Sequence, residues 1–405
     1  MQHLIPKNYI NRYIQKEFLQ HFSNHKITVL YGPRQVGKSS LVAFCLTEFL
    51  KKNRNYDVFS FNLDKKPLEF SDPDKFIFYI QAKKTNAENK VIVVIDEAQR
   101  MINIGLFVKY IYDKQLGIKF ILTGSASLDI KEKIKEPLTG RKKEFFLSPL
   151  SFSEILLFKG INPNQVTGSF PQLTQALEEY MLFGGYPEVV VSPSESTKIE
   201  ILKEISESYI LRDLVDLFNI KNQFNLSVIS SFLAENTTNL LSKRGISQKT
   251  GIGKYEVEKI LNALDKTFVT WKIYPFSQNK FKELIHMPKI YFNDLGIRNA
   301  ILGKLLPKLI ITDRGKLFEN AVALILVDLY EKHNLRFWRN INQTEVDFIC
   351  LKNTQKIDVF EVKYKWSGLQ LPKSLLSFIN QYNNLIDKSE VITVGNFWKL
   401  LVDFL

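Results

Sequence analysis

The stretch ITVLYGPRQVGKSSLVAFCLTEFLKK, residues 27–52, decides the fold of the N-terminal part of this 405-residue chain. The apolar run ITVLY predicts a buried strand, and the apolar spacing after GKS predicts a helix that packs on a sheet. Between them, GPRQVGKS at 32–39 fits the glycine-rich pattern GxxxxGKS and lies where that pattern requires, after a strand and before a helix. Because of this context, a simple glycine turn with a surface lysine is a poor alternative.

The glycine-rich loop is a candidate site for a nucleotide. Its glycines let backbone amides wrap phosphate groups, and the N-terminus of the following helix favours negative charge. Lys38 is expected to reach the β- and γ-phosphates, and the Ser39 hydroxyl is expected to bind Mg²⁺. The expected ligand is ATP, and the loop residues predicted to contact it are Gly32, Pro33, Arg34, Gln35, Val36, Gly37, Lys38, Ser39 and Ser40.

Two acidic residues follow the apolar run of VIVVIDEAQR, as a nucleotide site requires. Asp96 is predicted to hold Mg²⁺ through water, and Glu97 is predicted to polarise the attacking water. By itself, a DE pair after apolar residues is weak evidence, because strand ends often carry solvated acids. Because the pair follows a phosphate-binding loop at this distance, it predicts two residues that take part in nucleotide hydrolysis.

Three further polar residues are candidates for contact with the γ-phosphate. Thr123 and Ser125 follow a third apolar strand in FILTGSAS, where they would contact the γ-phosphate or the attacking water, or else cap a helix. Arg141, in TGRKKEFF, would supply positive charge to the transition state from the same or a neighbouring subunit, or else it is a solvated arginine. The residues leave both alternatives undecided.

The order of apolar runs predicts a chain of several domains with an α/β fold. Strand-like runs alternate with helical stretches up to residue 150, which predicts a parallel sheet covered on both faces. Helical spacing then dominates residues 151–222, which we interpret as a helical lid. Residues 223–285 have the order of a winged helix, and residues 286–405 predict a C-terminal helix-and-sheet domain.

The helix-turn-helix candidate is ISQKTGIGKYEVEKILNAL, at residues 246–264. Ser247 is predicted to cap its first helix, Gly251 and Gly253 to form the turn, and Lys254 and Tyr255 to begin the second helix. In a DNA groove these last two residues would reach DNA first. The glutamates on the same helix would be repelled by phosphate, so we favour a structural or protein-contact role.

Composition bounds the cellular setting of the chain. Only two cysteines occur, both in apolar segments without metal-ligand spacing, so a disulfide scaffold or a zinc site is not expected. No apolar run reaches the length of a membrane helix, and the first residues lack a signal-peptide core, so we expect a cytoplasmic protein without a membrane partner. The net charge of +13 favours a polyanion such as DNA as a partner, although a lysine-rich solvated surface gives the same charge.

The second unusual stretch is EVDFICLKNTQKIDVFEVKYK, residues 345–365, which predicts two strands that carry charges. Glu361 and Lys363 are two residues apart and share a face, and a hairpin would bring Asp347 beside them. Two neighbouring carboxylates repel each other unless a cation neutralises them, and Mg²⁺ prefers such oxygen ligands. The stretch therefore predicts either a metal site, in which Lys363 orients or deprotonates water, or a salt-bridged surface strand.

Several motifs together resemble a known family. Short motifs along the chain resemble those of AAA-type P-loop ATPases of bacteria and archaea. They are YGPRQVGKSSL, VIDEAQR, LTGSASL, GRKKEFFLSPLSFSEI, FGGYPEVV, YILRDLVDLF, FNDLGIRNAILG, GKLFEN, TEVDF and FEVKY. These ATPases carry a C-terminal domain of unknown function that resembles the PD-(D/E)XK nuclease fold. The resemblance covers nearly the whole chain and implies ATPase activity more firmly than any pathway.

The resemblance also implies residues for a C-terminal site. A helix glutamate, a strand acid and an E-x-K motif correspond to Glu319, Asp347, Glu361 and Lys363, with the three acids as metal ligands. The chain departs from the family where NINQTEVDF lacks the usual glycine and where Lys365 follows Lys363. The expected function is Mg²⁺-dependent ATP hydrolysis coupled to a DNA-directed nuclease or remodelling activity. The alternative is a nucleotide-controlled switch that binds protein or nucleic acid without cutting, and a homo-oligomer is compatible with both.

Overall fold

The structure is a computed structural model, and it describes residues 4–64, 71–124, 137–164, 166–207, 214–218, 220, 222–277, 287–352, 355–368 and 370–402. The chain forms two compact units. Unit 1 comprises Met1–Ser148 and Lys266–Phe268, and unit 2 comprises Pro149–Asp265 and Val269–Leu405. The boundaries expected at 150, 222 and 285 stay predictions.

Unit 1 is an α/β unit built on a parallel sheet, as the alternation of apolar runs predicts. The sheet has five strands in the order β2-β3-β4-β1-β5, and each neighbouring pair is parallel. Its strands are β1 Ile27–Tyr31, β2 Tyr56–Asn62, β3 Lys90–Asp96, β4 Ile118–Gly124 and β5 Lys142–Phe146. Because the strands run in one direction, the carboxyl ends of β1, β3 and β4 meet at one edge of the sheet.

Helices cover the sheet of unit 1. They are α1 Gln15–Gln20, α2 Lys38–Lys52, α3 Pro73–Ala82 and α4 Ile104–Asp113. One hydrophobic core lies between β1, β3 and β4 and the inner faces of α3 and α4; it includes Val93, Phe107 and Phe120, each at most 3% exposed. This packing holds the strand ends in place.

Unit 2 begins with a series of helices. They are α5 Phe152–Phe158, α6 Val166–Phe183, α7 Pro187–Val191, α8 Glu195–Ile205, α9 Leu214–Phe218, α10 Gln223–Glu235, α11 Lys243–Thr250 and α12 Lys254–Lys266. After the first strands come α13 Leu295–Ile301, α14 Arg314–Tyr330, α15 Lys373–Tyr382 and α16 Lys399–Val402. Among the helices of either unit, in the part of the chain that the structure describes, none is long and apolar enough to cross a membrane.

A mixed sheet of six strands in the order β11-β10-β9-β8-β6-β7 forms the second half of unit 2. Its strands are β6 Thr270–Pro275, β7 Lys289–Phe292, β8 Leu335–Arg339, β9 Glu345–Leu351, β10 Ile357–Val362 and β11 Ile386–Ile392. Strands β8, β9 and β10 are antiparallel neighbours, and β9 and β10 are the two strands that the sequence predicts within residues 345–365. The strands expected to form a wing, β6 and β7, also belong to this sheet, because β6 pairs with β8.

The two helices α11 and α12 form at the predicted helix-turn-helix, but the predicted cap is wrong. Helix α11 begins at Lys243, and the Ser242 hydroxyl caps it by accepting a hydrogen bond from Gly245 N at 3.0 Å. Ser247 lies inside the helix, where its carbonyl accepts from the amide of Gly251, which ends the helix at φ 72°. Local spacing alone cannot locate a cap when two serines precede the same turn.

A buried carboxylate ties the helical part of unit 2 to the end of β7. Asp294 accepts hydrogen bonds from Gly185 N at 2.7 Å and from Ile297 N at 2.9 Å, the latter capping α13. Burial raises the pKa of Asp294 to about 6, against the lowering effect of these backbone donors. The folded state therefore retains a proton that the unfolded chain has lost between about pH 4 and pH 6.

We expect the stability of unit 2 to fall as pH rises through this window, because the native state binds more protons there than the unfolded state. The contribution from Asp294 is at most about 3 kcal/mol, since one pKa unit equals about 1.4 kcal/mol. Urea denaturation at several pH values between 4 and 7 measures it, with Asp294→Asn as the non-titrating comparison. Identical pH slopes for the two proteins would contradict the assignment.

Candidate nucleotide site and carboxylate cluster

The loop between β1 and α2 depends on glycine at two positions. Gly37 has φ 92° and directly precedes α2, a backbone conformation that side chains disfavour. A Cβ on Gly32 would lie 2.0 Å from the Leu147 carbonyl oxygen, so only glycine fits there. The Lys38 ammonium lies under the loop and donates to Gly32 O at 3.0 Å and Pro33 O at 2.7 Å.

Lys38 is a buried cation close to two acids. Burial lowers its pKa to about 8, while the charges of Glu97 and Asp96 act in the opposite direction. The side chain therefore remains mostly protonated at neutral pH. An ammonium that donates to backbone carbonyls is well placed to turn towards a phosphate, whose full charge is a stronger partner.

Asp96 is the centre of this site. Its Oδ2 accepts a hydrogen bond from Ser39 Oγ at 2.9 Å and from Asn62 Nδ2 at 3.3 Å. Its Oδ1 accepts from the Thr123 hydroxyl, so Thr123 contacts this acid. A serine hydroxyl beside a carboxylate is a pair of hard oxygen donors, and this pair fits Mg²⁺.

The remaining predicted loop residues take positions consistent with a nucleotide site. Gln35 has φ 58°, Val36 is fully buried, Arg34 lies in the loop, and Ser40 lies in the first turn of α2. Glu97 also adopts a left-handed conformation, at φ 54°, directly after β3. Ser125 lies outside the residues that the structure describes.

Arg141 is not near the loop. It directly precedes β5, and its carbonyl accepts from Ile27 N at the start of β1, whereas the loop follows the end of β1. The two ends of β1 are separated by roughly 13 Å, four steps along the strand at about 3.3 Å per residue. The guanidinium pairs with Asp113, with an Nε to Oδ1 distance of 2.7 Å. This position does not favour a role for Arg141 in the nucleotide site of its own chain. A role for Arg141 in the nucleotide site of a neighbouring subunit stays a prediction.

Sequence reasoning missed Arg12, which supports the loop. Its side chain is 8% exposed and donates from Nη1 to Val36 O at 3.0 Å and from Nη2 to Ser148 O at 2.7 Å. One guanidinium thus joins the loop to the segment after β5. No motif contains this arginine, because its partners are backbone atoms 24 and 136 residues away.

The C-terminal acids lie on neighbouring strands of unit 2, as predicted. Strands β9 and β10 pair with Phe348 opposite Phe360, and Asp347 Oδ2 accepts from Val362 N at 2.9 Å. Glu361 Oε1 accepts from Lys363 Nζ at 2.8 Å and from Ser374 Oγ at 3.1 Å. Burial, and then the charge of Asp347, raises the pKa of Glu361, while Lys363 acts against them.

A lysine that the sequence did not single out lies among these acids. Lys289, the first residue of β7, has its Nζ 3.1 Å from Glu319 Oε1, 2.6 Å from Glu345 Oε1 and 3.2 Å from Asp347 Oδ1. Burial lowers its pKa, but the acids and Tyr291 outweigh burial and hold the pKa well above its usual value. Burial raises the pKa of Glu319 to about 7 in spite of this ammonium.

The acids predicted as metal ligands in unit 2 are paired with lysine side chains of the chain itself. Glu319 and Asp347 both contact the ammonium, in the small volume where they would have to contact a metal. Within the ranges that the structure describes, no group of three or more His, Cys, Asp or Glu side chains is arranged to hold a metal ion. Glu345 and Asp347 are two residues apart on β9 and share a face of the strand. This spacing in the sequence could have indicated Glu345 as a further member of the group of acids.

Comparisons with known proteins agree with the geometry of unit 1. Residues 24–156 match the family described as "AAA domain". Unit 1 is therefore similar to AAA-type P-loop domains. The later parts of the chain match two families described only as domains of unknown function, DUF8612 at residues 174–307 and DUF4143 at residues 314–397. These descriptions assign no nuclease to the chain.

Similar proteins in other organisms carry no described function. An uncharacterized protein of Methanocaldococcus jannaschii is 28% identical over 96% of this chain and 90% of its own length. An uncharacterized protein of Haemophilus influenzae is 23% identical over 97% of this chain and 94% of its own length. The similarity extends over both units.

Solved structures resemble the chain only distantly. The Aeropyrum pernix ORC1 protein in complex with DNA has a TM-score of 0.34 at 12% identity and covers 75% of this chain and 98% of its own. The ADP form of the Aeropyrum pernix ORC2 protein has a TM-score of 0.37 at 11% identity, with the same two coverages.

Arg12→Ala is expected to weaken nucleotide binding to unit 1 roughly tenfold, which equals about 1.4 kcal/mol. The reason is that the Val36 carbonyl loses a buried donor and the loop loses its support. Titration with a fluorescent ATP analogue measures the affinity, and circular dichroism shows whether the variant is folded. Arg54→Ala, at an exposed arginine, is the matched control. Unchanged affinity in a folded Arg12→Ala protein would contradict a supporting role.

Proposed function

We propose that the chain binds ATP with Mg²⁺ at the P-loop of unit 1, hydrolyses the ATP, and uses the nucleotide state to control unit 2. The observation that carries this proposal is the contact of Ser39 with Asp96 beside the buried Lys38. These three side chains come from the loop and from the end of β3, and their chemistry suits a phosphate and a divalent cation.

Each residue has a distinct task in the proposal. The loop amides and the N-terminus of α2 hold the phosphates, and Lys38 exchanges its two carbonyl partners for phosphate oxygens. Ser39 and Asp96 would hold Mg²⁺, which supplies positive charge to the β- and γ-phosphates. Glu97 orients the attacking water, and Arg12 keeps the loop in the binding conformation.

Lys38→Ala is expected to abolish ATP turnover, because the phosphates lose their buried cation. Glu97→Gln is expected to retain ATP binding and to lose roughly 10²-fold or more in turnover, the usual effect of removing a general base. Phosphate release measures ATP turnover, and titration with a fluorescent ATP analogue measures ATP binding. Together they distinguish loss of turnover from loss of binding. Lys51→Ala, at an exposed lysine of α2, is the control. Undiminished turnover in Lys38→Ala would show that the nucleotide site is misassigned.

Two functions remain candidates for unit 2. The first is a nucleotide-controlled switch that binds protein or nucleic acid without cutting it, and the ammonium of Lys289 among the acids supports it. The second is a DNA-directed nuclease or remodelling activity, supported by the contact of Lys363 with Glu361 and by the net charge of +13. We favour the switch. A cytoplasmic location, expected from the sequence, belongs to the proposal, and a homo-oligomer is compatible with it.

DNA cleavage is expected to be absent when the protein is incubated with ATP, Mg²⁺ or Mn²⁺, and plasmid, linear or single-stranded DNA. The physical reason is that Lys289 and Lys363 already pair with the acids that a metal would need. Gel electrophoresis of the products checks this expectation. Cleavage that is lost in both Asp347→Ala and Glu361→Ala, but kept in the exposed-site control Asp387→Ala, would establish the nuclease instead.

A further inference from the structure

Three acids of unit 2 converge on one point, and we call them the carboxylate cluster: Glu319, Glu345 and Asp347. Glu345 and Asp347 are two residues apart on β9 and so project from the same face. Glu319 lies in the middle of α14. At neutral pH such a group needs a cation, because like charges in a buried space raise the free energy.

The cation at this point is the side chain of Lys289. Its side chain is only 3% exposed, and its ammonium has three hydrogens. Three carboxylate oxygens lie at 2.6–3.2 Å from Nζ, one from each member of the cluster. The Phe337 ring lies 5.7 Å from Nζ and adds an aromatic contact. The ammonium therefore has as many acidic partners as it has hydrogens.

Further donors contact each acid of the cluster. Arg339 Nη1 lies 3.2 Å from Glu345 Oε2, so Glu345 contacts two cations. The Tyr291 hydroxyl donates to Glu319 Oε1 at 2.8 Å. Asp347 Oδ2 accepts from the backbone amide of Val362 at 2.9 Å. Each acid of the cluster thus has a second donor besides Lys289, and these contacts fix the orientation of the carboxylates.

A divalent ion could not share this arrangement. Mg²⁺ binds oxygen at about 2.0–2.1 Å and requires near-octahedral ligands. An ion bound by Glu319 Oε1 and Asp347 Oδ1 would lie against the ammonium that contacts the same two oxygens. Two cations at that separation repel each other strongly in a buried site. One carboxylate oxygen nearby, Glu361 Oε2, is buried without a hydrogen-bond partner among the described residues, but a single ligand does not make a magnesium site.

We propose that Lys289 is the resident cation of the carboxylate cluster, and that its ammonium takes the position where a metal-dependent nuclease would hold a divalent ion. Unit 2 then keeps its acids as a charge-paired structural centre and acts by binding. Loss of the lysine charge converts the cluster into a divalent-cation site. This inference deepens the part of the proposed function that concerns unit 2 and is independent of ATP turnover.

Mn²⁺ binding to the full chain without nucleotide tests the inference, with electron paramagnetic resonance as the readout. All proteins carry Ser39→Ala, which removes the hydroxyl ligand of the P-loop site. With Lys289 present, we expect Mn²⁺ binding to be the same with and without Asp347→Asn. With Lys289→Met, we expect one additional Mn²⁺ per chain, a rise in Tm on adding Mn²⁺, and loss of both on adding Asp347→Asn.

Lys363→Met is the matched control, because it removes a lysine paired with Glu361 outside the cluster, and we expect it to create no Mn²⁺ site. The inference is overturned if the Lys289-containing protein binds Mn²⁺ and this binding disappears in Asp347→Asn. A folded Lys289→Met protein that gains no Mn²⁺ also overturns it. If Lys289→Met does not fold, the comparison of the two Lys289-containing proteins still decides, and failure of the Lys38→Ala prediction would leave this result unaffected.

Discussion

A charge that folding removes from water must find a partner within hydrogen-bonding distance, and both candidate sites of this protein are built around this requirement. The carboxylate of Asp96 and the ammonium of Lys289 are each held by groups from separate elements of their own unit. Leaving such a group unpaired costs several kcal/mol even after the surroundings relax. The strands and helices that supply the partners are therefore constrained in position by the charges they surround.

The two sites meet the requirement in opposite ways. The hydrogen bonds to Asp96 come from neutral groups, the hydroxyls of Ser39 and Thr123 and the amide of Asn62. Neutral donors orient a carboxylate without cancelling its charge, so Asp96 keeps an attraction for a divalent cation that arrives with a nucleotide. In unit 2 the acids contact a full positive charge that belongs to the chain itself. We infer that unit 1 is prepared to bind a cation and that unit 2 already contains one.

The predictability of each residue depends on how far away its partners lie in sequence. The P-loop was predictable because its strand, glycines, lysine and helix are contiguous, and Asp96 was predictable because parallel strands bring their carboxyl ends to one edge. Arg12 was not predictable, because it contacts backbone carbonyls that leave no pattern in the sequence. Arg141 shows the opposite case. It was a candidate from a short basic motif, but it directly precedes β5, at the edge of the sheet opposite to the P-loop.

By itself, the sequence determined the glycine-rich loop, the parallel sheet behind it and the presence of Asp347 and Glu361 on neighbouring strands, with Lys363 directly after the second. These features follow from local periodicity and short spacing. The tertiary structure decided what the C-terminal acids contact. Lys289 reaches them from a strand 58 residues before Asp347 in the chain. The charge state of such a cluster depends on which side chains fold around it, and only the packing of β7 against the acids brings the ammonium there.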